Sequence, residues 1–267
     1  MATSVKSRPM TSSTHPYLQG GGPIAFAHRG GNREHPENTL AAFTHAVSMG
    51  YRYLETDVHL TADGVLVAFH DADLTRTCDV AGEIADLSWS EVSDALVGGS
   101  ERIPRMNDLF EQFSDIRFNI DCKSDAAMPA LIDLIGKRKA LDRVCVGSFS
   151  YRRLRKLRRA FGGRLLTCMS PIEVASLRLT GRVGGNSARV AQVPVEAGRS
   201  VGSRRLTVVT ERFISNAHRQ RIPVHVWTIN DEEEIRRLLD LGVDGIMTDD
   251  PELLRDILID RDEWPVS

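Results

Sequence analysis

Cysteine is scarce in this chain and none of it is paired by spacing. Four residues among 267, Cys78, Cys122, Cys145 and Cys168, include no C-x-x-C. That spacing excludes a zinc knuckle and a dithiol redox motif. The thiols read as reduced and packed, as in a cytoplasmic protein. An excess of either charge is also lacking: 34 Lys+Arg stand against 36 Asp+Glu, for a formal net charge of -2. Nothing in that balance directs the protein to nucleic acid. Long apolar runs are missing too, so no stretch approaches the roughly 20 residues a membrane span requires. The opening 22 residues, "MATSVKSRPMTSSTHPYLQGGG", have Lys6 and Arg8 but no apolar core. They are expected to be a loose tail rather than a secretory signal.

What the chain has instead is repetition. Short apolar runs recur at 24–30, 53–61, 117–123, 144–149, 165–170, 188–195, 224–230 and 244–250. Most are separated by segments of helical periodicity. Leu40, Phe43 and Val47 form one apolar face, and Gly50 closes that helix at C′. "DEEEIRRLLDLG" opens on acids and ends on Gly242, as the two helix ends prefer. Eight strand–helix repeats predict an α/β fold of the (β/α)8 TIM-barrel type over residues 23–267, with 1–22 as the tail. The alternative, a doubly wound open sheet, wants a G-x-G-x-x-G turn that "AHRGG" does not supply. Residues 62–116 form an excursion after the second strand. Asp63-Gly64 makes 53–61 and 65–71 the arms of a hairpin. Residues 181–205, rich in Gly, Ser and Arg, are expected to be loops beyond the strand at 188–195.

Candidate chemistry gathers at the strand ends. Residues two apart on a strand share a face, which pairs Glu55 with Asp57 and Asp121 with Lys123. Three carboxylates at one barrel mouth repel unless a cation lies among them, and oxygen-only ligands suit a hard divalent ion, Mg²⁺ or Ca²⁺. Taken singly, each acid is better read as a surface ion-pair partner. His28 and His70 each follow alternating apolar residues, so both point to one pocket. There they form a general acid and base pair, and zinc ligation is the weaker reading. Arg29 and Lys123 supply positive charge for an anion, and Gly30 and Gly31 give backbone access to it. With one ion and one imidazolium the site carries about +2, suited to a phosphoryl transition state. Pro36, Glu37, Asn38 and Thr39 then start a helix, with Asn38 or Thr39 as N-cap; capping is the expected job of Glu37 and Asn38, and bracing the site is their second reading. His59 is a secondary candidate by parity. His15, His35, His45, His218 and His225 carry no assignment. "YRRLRKLRRAFGGR" reads as an outer helix with its charges in water, and weak contact with anionic lipid is its second reading.

Five ordered motifs, "AHRGGNREHPENTLAAFTHA", "LETDVHLTADGVLVAFHDADLTRT", "NIDCKSD", "VHVWTIN" and "DGIMTDDP", resemble the glycerophosphodiester phosphodiesterase family from about residue 24 to 255. The resemblance implies a barrel, one divalent cation, and hydrolysis of a small glycerophosphodiester to sn-glycerol 3-phosphate and an alcohol. It implies His28 and His70 as acid and base, Glu55, Asp57 and Asp121 as metal ligands, Arg29 and Lys123 on phosphate, and Trp227 packing on the substrate. Asp121 departs from the family's usual Glu and is one methylene shorter, which leaves the identity of the metal open. The family's inserted subdomain is abbreviated here to the hairpin excursion. The competing readings are a lysophospholipase D or phosphoinositide-type lyase acting on lipids, and a barrel that binds without turnover. Neither the preferred alcohol nor the oligomeric state is legible.

Overall fold

The structure, a computed structural model, describes residues 15–20, 22–185, 189–201 and 204–264. Eight parallel strands close into a barrel: β1 (Ile24–Ala27), β2 (Tyr53–Leu60), β3 (Arg117–Cys122), β4 (Val144–Gly147), β5 (Leu166–Cys168), β6 (Arg189–Pro194), β7 (Val224–Trp227) and β8 (Gly245–Thr248). Each pairs with the next, and β1 closes the ring on β8 through Ile24↔Gly245. The helices outside are α1 (Leu40–Ser48), α2 (Met106–Gln112), α3 (Ala127–Lys137), α4 (Tyr151–Ala160), α5 (Pro171–Thr180), α6 (Glu211–Arg219), α7 (Glu232–Leu241) and α8 (Pro251–Asp260). This is the TIM barrel expected from the eight repeats.

Alternation along the strands divides the barrel vertically. Inward residues near the strand starts are apolar: Phe26, Tyr53, Leu166 and Val190 pack around fully buried Tyr17. Tyr17 sits in a 3-10 turn, Pro16–Leu18, within the stretch read as a tail; residues 1–14 of that stretch lie outside the described residues. The hydroxyl of Tyr53 donates to Tyr17 O at 2.7 Å. Two and four residues further along β2 the same inward row reaches Glu55 and Asp57. The fold thus runs from an apolar floor to a polar mouth at the carboxyl ends of the strands, where barrels carry their sites. The outward residues, such as Leu54, Val58, Phe118 and Ile120, meet the helices in the main core.

Local sequence sets the helix ends. Thr39 caps α1 by accepting from Ala42 N, and Gly50 follows the helix at φ +96. Asp231 caps α7 and Gly242 ends it at φ +94. The face of α1 differs from expectation. Ala42, Phe43 and Ala46 are buried, whereas Leu40, at the helix's first residue, is 40% exposed. Strand limits are also tighter than the apolar runs, because His28–Gly30 turns into 3-10 geometry straight after β1.

The excursion is ordered. Strand Leu66–Ala68 pairs antiparallel with the end of β2, and Val67, Phe69, Leu74, Ile84 and Val92 form a small core of their own. Residues 196–207, expected to be loop up to 205, contain strands Glu196–Val201 and Arg204–Thr207 paired antiparallel. Their Gly-, Ser- and Arg-rich composition hides the alternation, since the pairing is made by backbone hydrogen bonds. In α4, Leu154 and Leu157 are buried and Arg152, Arg155, Lys156 and Arg159 are exposed. Two of its arginines look inward: Arg158 binds Glu173, and Arg153 binds Asp125 and the Lys123 carbonyl. All four cysteines are free and buried. No helix among the described residues is long and apolar enough to cross a membrane.

Candidate active site

The mouth of the barrel holds a cleft of about 480 Å³, and His28, Arg29, Glu55, Asp57, His70, Asp121, Lys123 and Trp227 all line it. Register explains most of this. Parallel pairing of β2 with β3 sets Asp57 beside Asp121 and Glu55 beside Asn119. His28 and Arg29 come from the turn after β1. His70 comes from the chain just beyond Leu66–Ala68, which the hairpin folds back onto β2.

Each imidazole is held by a carboxylate at Nδ1. His28 Nδ1 lies 2.6 Å from Asp249 Oδ1, and His70 Nδ1 lies 2.6 Å from Asp71 Oδ1. A carboxylate only accepts, so each Nδ1 carries the proton and each neutral ring keeps its lone pair on Nε2. Asp249 is fixed in turn by Asn230 Nδ2 at 2.8 Å, and Asp71 by Arg76 Nε. Burial alone would lower the pKa of His28, but Glu55, 3.6 Å from Nε2, and Asp249 outweigh it and raise it. His59 does not line the cleft. It donates from Nε2 to the His70 carbonyl at 3.0 Å, and its burial lowers its pKa.

The acids are deeply placed. Glu55 is 4% exposed and Asp57 2%. Burial and the neighbouring Asp57 push Glu55 up to about 8. Its one side-chain hydrogen bond among the described residues comes from Arg29 N, at 3.1 Å. Arg29 makes that bond from a left-handed backbone, φ 55. Lys123 Nζ stands between Asp57 Oδ1 at 2.8 Å and Asp121 Oδ2 at 2.9 Å. Burial opposes the charge of Lys123, and the two acids more than restore it. Among the described residues no three His, Cys, Asp or Glu side chains are drawn together tightly enough to enclose an ion.

Two expectations are corrected here. Glu37 and Asn38 brace the site instead of capping α1. Glu37 accepts from Arg29 at 3.0 Å and from Arg76 at 2.5 Å, while Asn38, at φ 57, donates to Asp57 and accepts from Thr56. Thr39 alone takes the cap. Gly30 and Gly31 serve packing and not ligand access. A Cβ on Gly30, at φ +84, would meet Ala42 and Phe43 at 2.9 Å, and one on Gly31, at φ +94, would meet Pro251 at 2.7 Å. Asp249, Asn230, Asp71 and Arg76 escaped the sequence reading. The inward parity of Asp249 with Met247 was the signal available for the first of them.

The description "Glycerophosphoryl diester phosphodiesterase family" belongs to the family model that matches residues 28–253. A Mycobacterium tuberculosis protein named "Probable glycerophosphodiester phosphodiesterase 2" is 36% identical over 93% of this chain and 95% of its own length. A Caldanaerobacter subterraneus glycerophosphodiester phosphodiesterase is 30% identical over 86% of this chain and 96% of its own. An Oleispira antarctica phosphodiesterase, solved in complex with the product sn-glycerol-3-phosphate, superposes with TM-score 0.73 at 23% identity, covering 89% of this chain and 97% of that one. With the barrel matched in three dimensions and the motifs matched almost end to end, this chain belongs to the glycerophosphoryl diester phosphodiesterase family and is a phosphoric diester hydrolase.

Proposed function

We propose that the cleft hydrolyses glycerophosphodiesters to sn-glycerol 3-phosphate and an alcohol, with His28 and His70 exchanging the protons. The observation that supports this most is the matched anchoring of both imidazoles. Asp249 and Asp71 each hold an Nδ1–H, which leaves two Nε2 atoms in one cleft for proton transfer. One histidine takes the proton of the glycerol 2-hydroxyl as that oxygen attacks phosphorus. The other protonates the leaving alcohol. Water then opens the cyclic phosphate with the roles reversed. Arg29 and Lys123 hold the phosphate oxygens, the first as a planar fork and the second as a point charge, and Trp227 packs against the substrate.

Glu55, Asp57 and Asp121 are the residues that would hold a divalent cation, Mg²⁺ or Ca²⁺. The fit lies in the donor chemistry: three oxygen-bearing groups face one cleft, and Glu55 has a single side-chain hydrogen bond among the described residues and is pushed upward by burial and by the carboxylates of Asp57 and Asp121. When bound, the ion supplies electrostatic stabilisation of the phosphate and of the attacking oxygen.

The test is turnover of glycerophosphocholine, glycerophosphoethanolamine and glycerophosphoglycerol, with and without EDTA. EDTA is expected to abolish turnover, and added Mg²⁺ or Ca²⁺ to restore it. His28→Ala and His70→Ala are each expected to lower kcat by about 10²- to 10⁴-fold with an unchanged circular dichroism spectrum. Wild-type turnover in both variants would refute the roles given to the histidines. Rapid hydrolysis of a 2-deoxy substrate would refute internal attack.

A further inference from the structure

One side of α4 takes no part in the chemistry above. Residues 144–222 hold 16 Lys and Arg against 3 Asp and Glu, while the rest of the chain holds 18 against 33. Strands β4, β5 and β6 are neighbours in the ring, so a chain of near-zero net charge presents one strongly basic arc of its barrel. Such an arc gathers anions. Within it a groove of about 390 Å³ runs along α4. Arg155, Arg158, Arg159 and Arg189 line it, with Tyr151 at the start of the helix and Gly162 past its end. Among the described residues no carboxylate lines the groove, and none of its residues lines the catalytic cleft.

The charges in the groove do not balance. The Arg158 and Arg189 side chains are each only 9% exposed, and both pair with one carboxylate, Glu173. Glu173 Oε1 accepts from Arg158 Nη1 at 2.8 Å and lies 3.4 Å from Arg189 Nε, while Oε2 also takes Ser170 N and Oγ. Arg158 is further spent on Thr167 Oγ1 and the Cys168 carbonyl. Arg189 gives Nη1 to the Gly184 carbonyl, and its buried Nε makes no hydrogen bond. Burial disfavours the charge of Arg189, and Glu173 restores only part of it. Arg155 and Arg159 are exposed and have no ion-pair partner among the described residues. Four guanidiniums therefore face one carboxylate, and a buried charge without a full partner is costly. We propose that this groove binds a phosphate dianion, the free ion or the end of a phosphomonoester, held by Arg155, Arg159 and Arg189 with Arg158 adding charge. A dianion offsets two of the three excess charges, where a carboxylate or phosphodiester offsets one. The planar guanidinium fork matches paired phosphate oxygens. A Cβ on Gly162 would meet nothing within 4 Å, so that end of the groove is open. The site stands apart from the catalytic cleft and does not depend on the phosphodiesterase reading.

Such a phosphate comes either free in solution or on a lipid headgroup, and the experiment separates the two. Backbone amide exchange across 151–163 is followed on the intact protein. One arm adds inorganic phosphate or sn-glycerol 3-phosphate. The other adds phosphatidylcholine vesicles with and without phosphatidic acid. The proposed chemistry puts a phosphate in the cleft as well, so the readout is local to α4. Slower exchange there with the soluble ligands assigns the phosphate to solution, and slower exchange only with phosphatidic acid assigns it to a headgroup. Either supports the site. No slowing in either arm, or equal slowing by sodium chloride at matched ionic strength, overturns it. Dimethyl phosphate, a monoanion, is expected to bind about tenfold more weakly than inorganic phosphate; equal affinity overturns the choice of a dianion. In the double variant Arg155→Gln, Arg159→Gln, the affinity read from α4 is expected to fall by about tenfold or more. Both side chains are exposed, so the circular dichroism spectrum is expected to stay unchanged. Undiminished protection of α4 in that variant counts against the groove, and the chloride and dimethyl phosphate comparisons judge the site in the wild-type protein alone.

Discussion

At the scale of single residues, the barrel interior carries a titratable group that the chemistry does not use. His225 is fully buried beneath the site, 5.0 Å from the Phe26 ring and 3.4 Å from Gln192 Nε2, which in turn donates to Asn119 at 2.8 Å. Burial lowers its pKa to about 4 from 6.5. The sign follows directly. Between those values the unfolded chain binds a proton that the folded protein refuses, so stability falls as the pH falls. The shift predicts a loss of about 2 kcal/mol from this residue between pH 7 and pH 5. Urea unfolding at the two pH values checks it, and His225→Gln should show the smaller difference. An equal acid sensitivity in both proteins would assign the loss to other groups. Residues of this kind are hard to read in a sequence. In "VHVWTIN", His225 has the same inward parity as Trp227, and only the depth along β7 separates a floor residue from one lining the cleft.

The excursion after β2 is the element that completes the site. It brings His70, Asp71 and Arg76 to a barrel that supplies the other groups itself. Arg76, half exposed, binds Asp71 and Glu37 together, and so ties the anchor of His70 to the partner of Arg29. Arg76→Ala is expected to lower kcat about fivefold to fiftyfold with little change in thermal stability, because an exposed ion pair contributes only about 0–1 kcal/mol while misplacing a catalytic group is costly. A stopped assay beside a melting curve distinguishes the two effects; an unchanged kcat would leave the network without a part in catalysis. The hairpin at 53–71 was legible because Asp63-Gly64 stands between two apolar arms. The hairpin at 196–207 was not, because its composition gives no alternation. Pro-Glu-Asn-Thr shows the limit of local reasoning. Those residue types suit a helix start, and Thr39 does cap α1, yet Glu37 and Asn38 spend their side chains on Arg29 and Asp57.

At the scale of the whole molecule, the barrel is closed from below by a segment that precedes its first strand. Tyr17 is fully buried against Phe26 and Tyr53, with its ring 5.3 Å from that of Tyr53. Tyr17→Ala is expected to cost about 3–5 kcal/mol, the range for emptying an aromatic site in a core. Chemical denaturation measures it, and a loss below about 1 kcal/mol would show that the floor does not depend on this ring.

Eight apolar runs at regular spacing, with helix signals between them, determined the barrel, because period-two and period-3.6 patterns are properties of the chain alone. The same alternation determined that Glu55, Asp57, Asp121 and Lys123 would share a mouth. Tertiary closure decided the partners. Asp249 lies 221 residues from His28 and touches it only because β8 returns to β1. Lys123 bridges Asp57 and Asp121 only because β2 and β3 pair in that register. Spacing along a chain fixes which face a side chain takes, but contact between distant segments depends on how the sheet closes, and no local pattern encodes that.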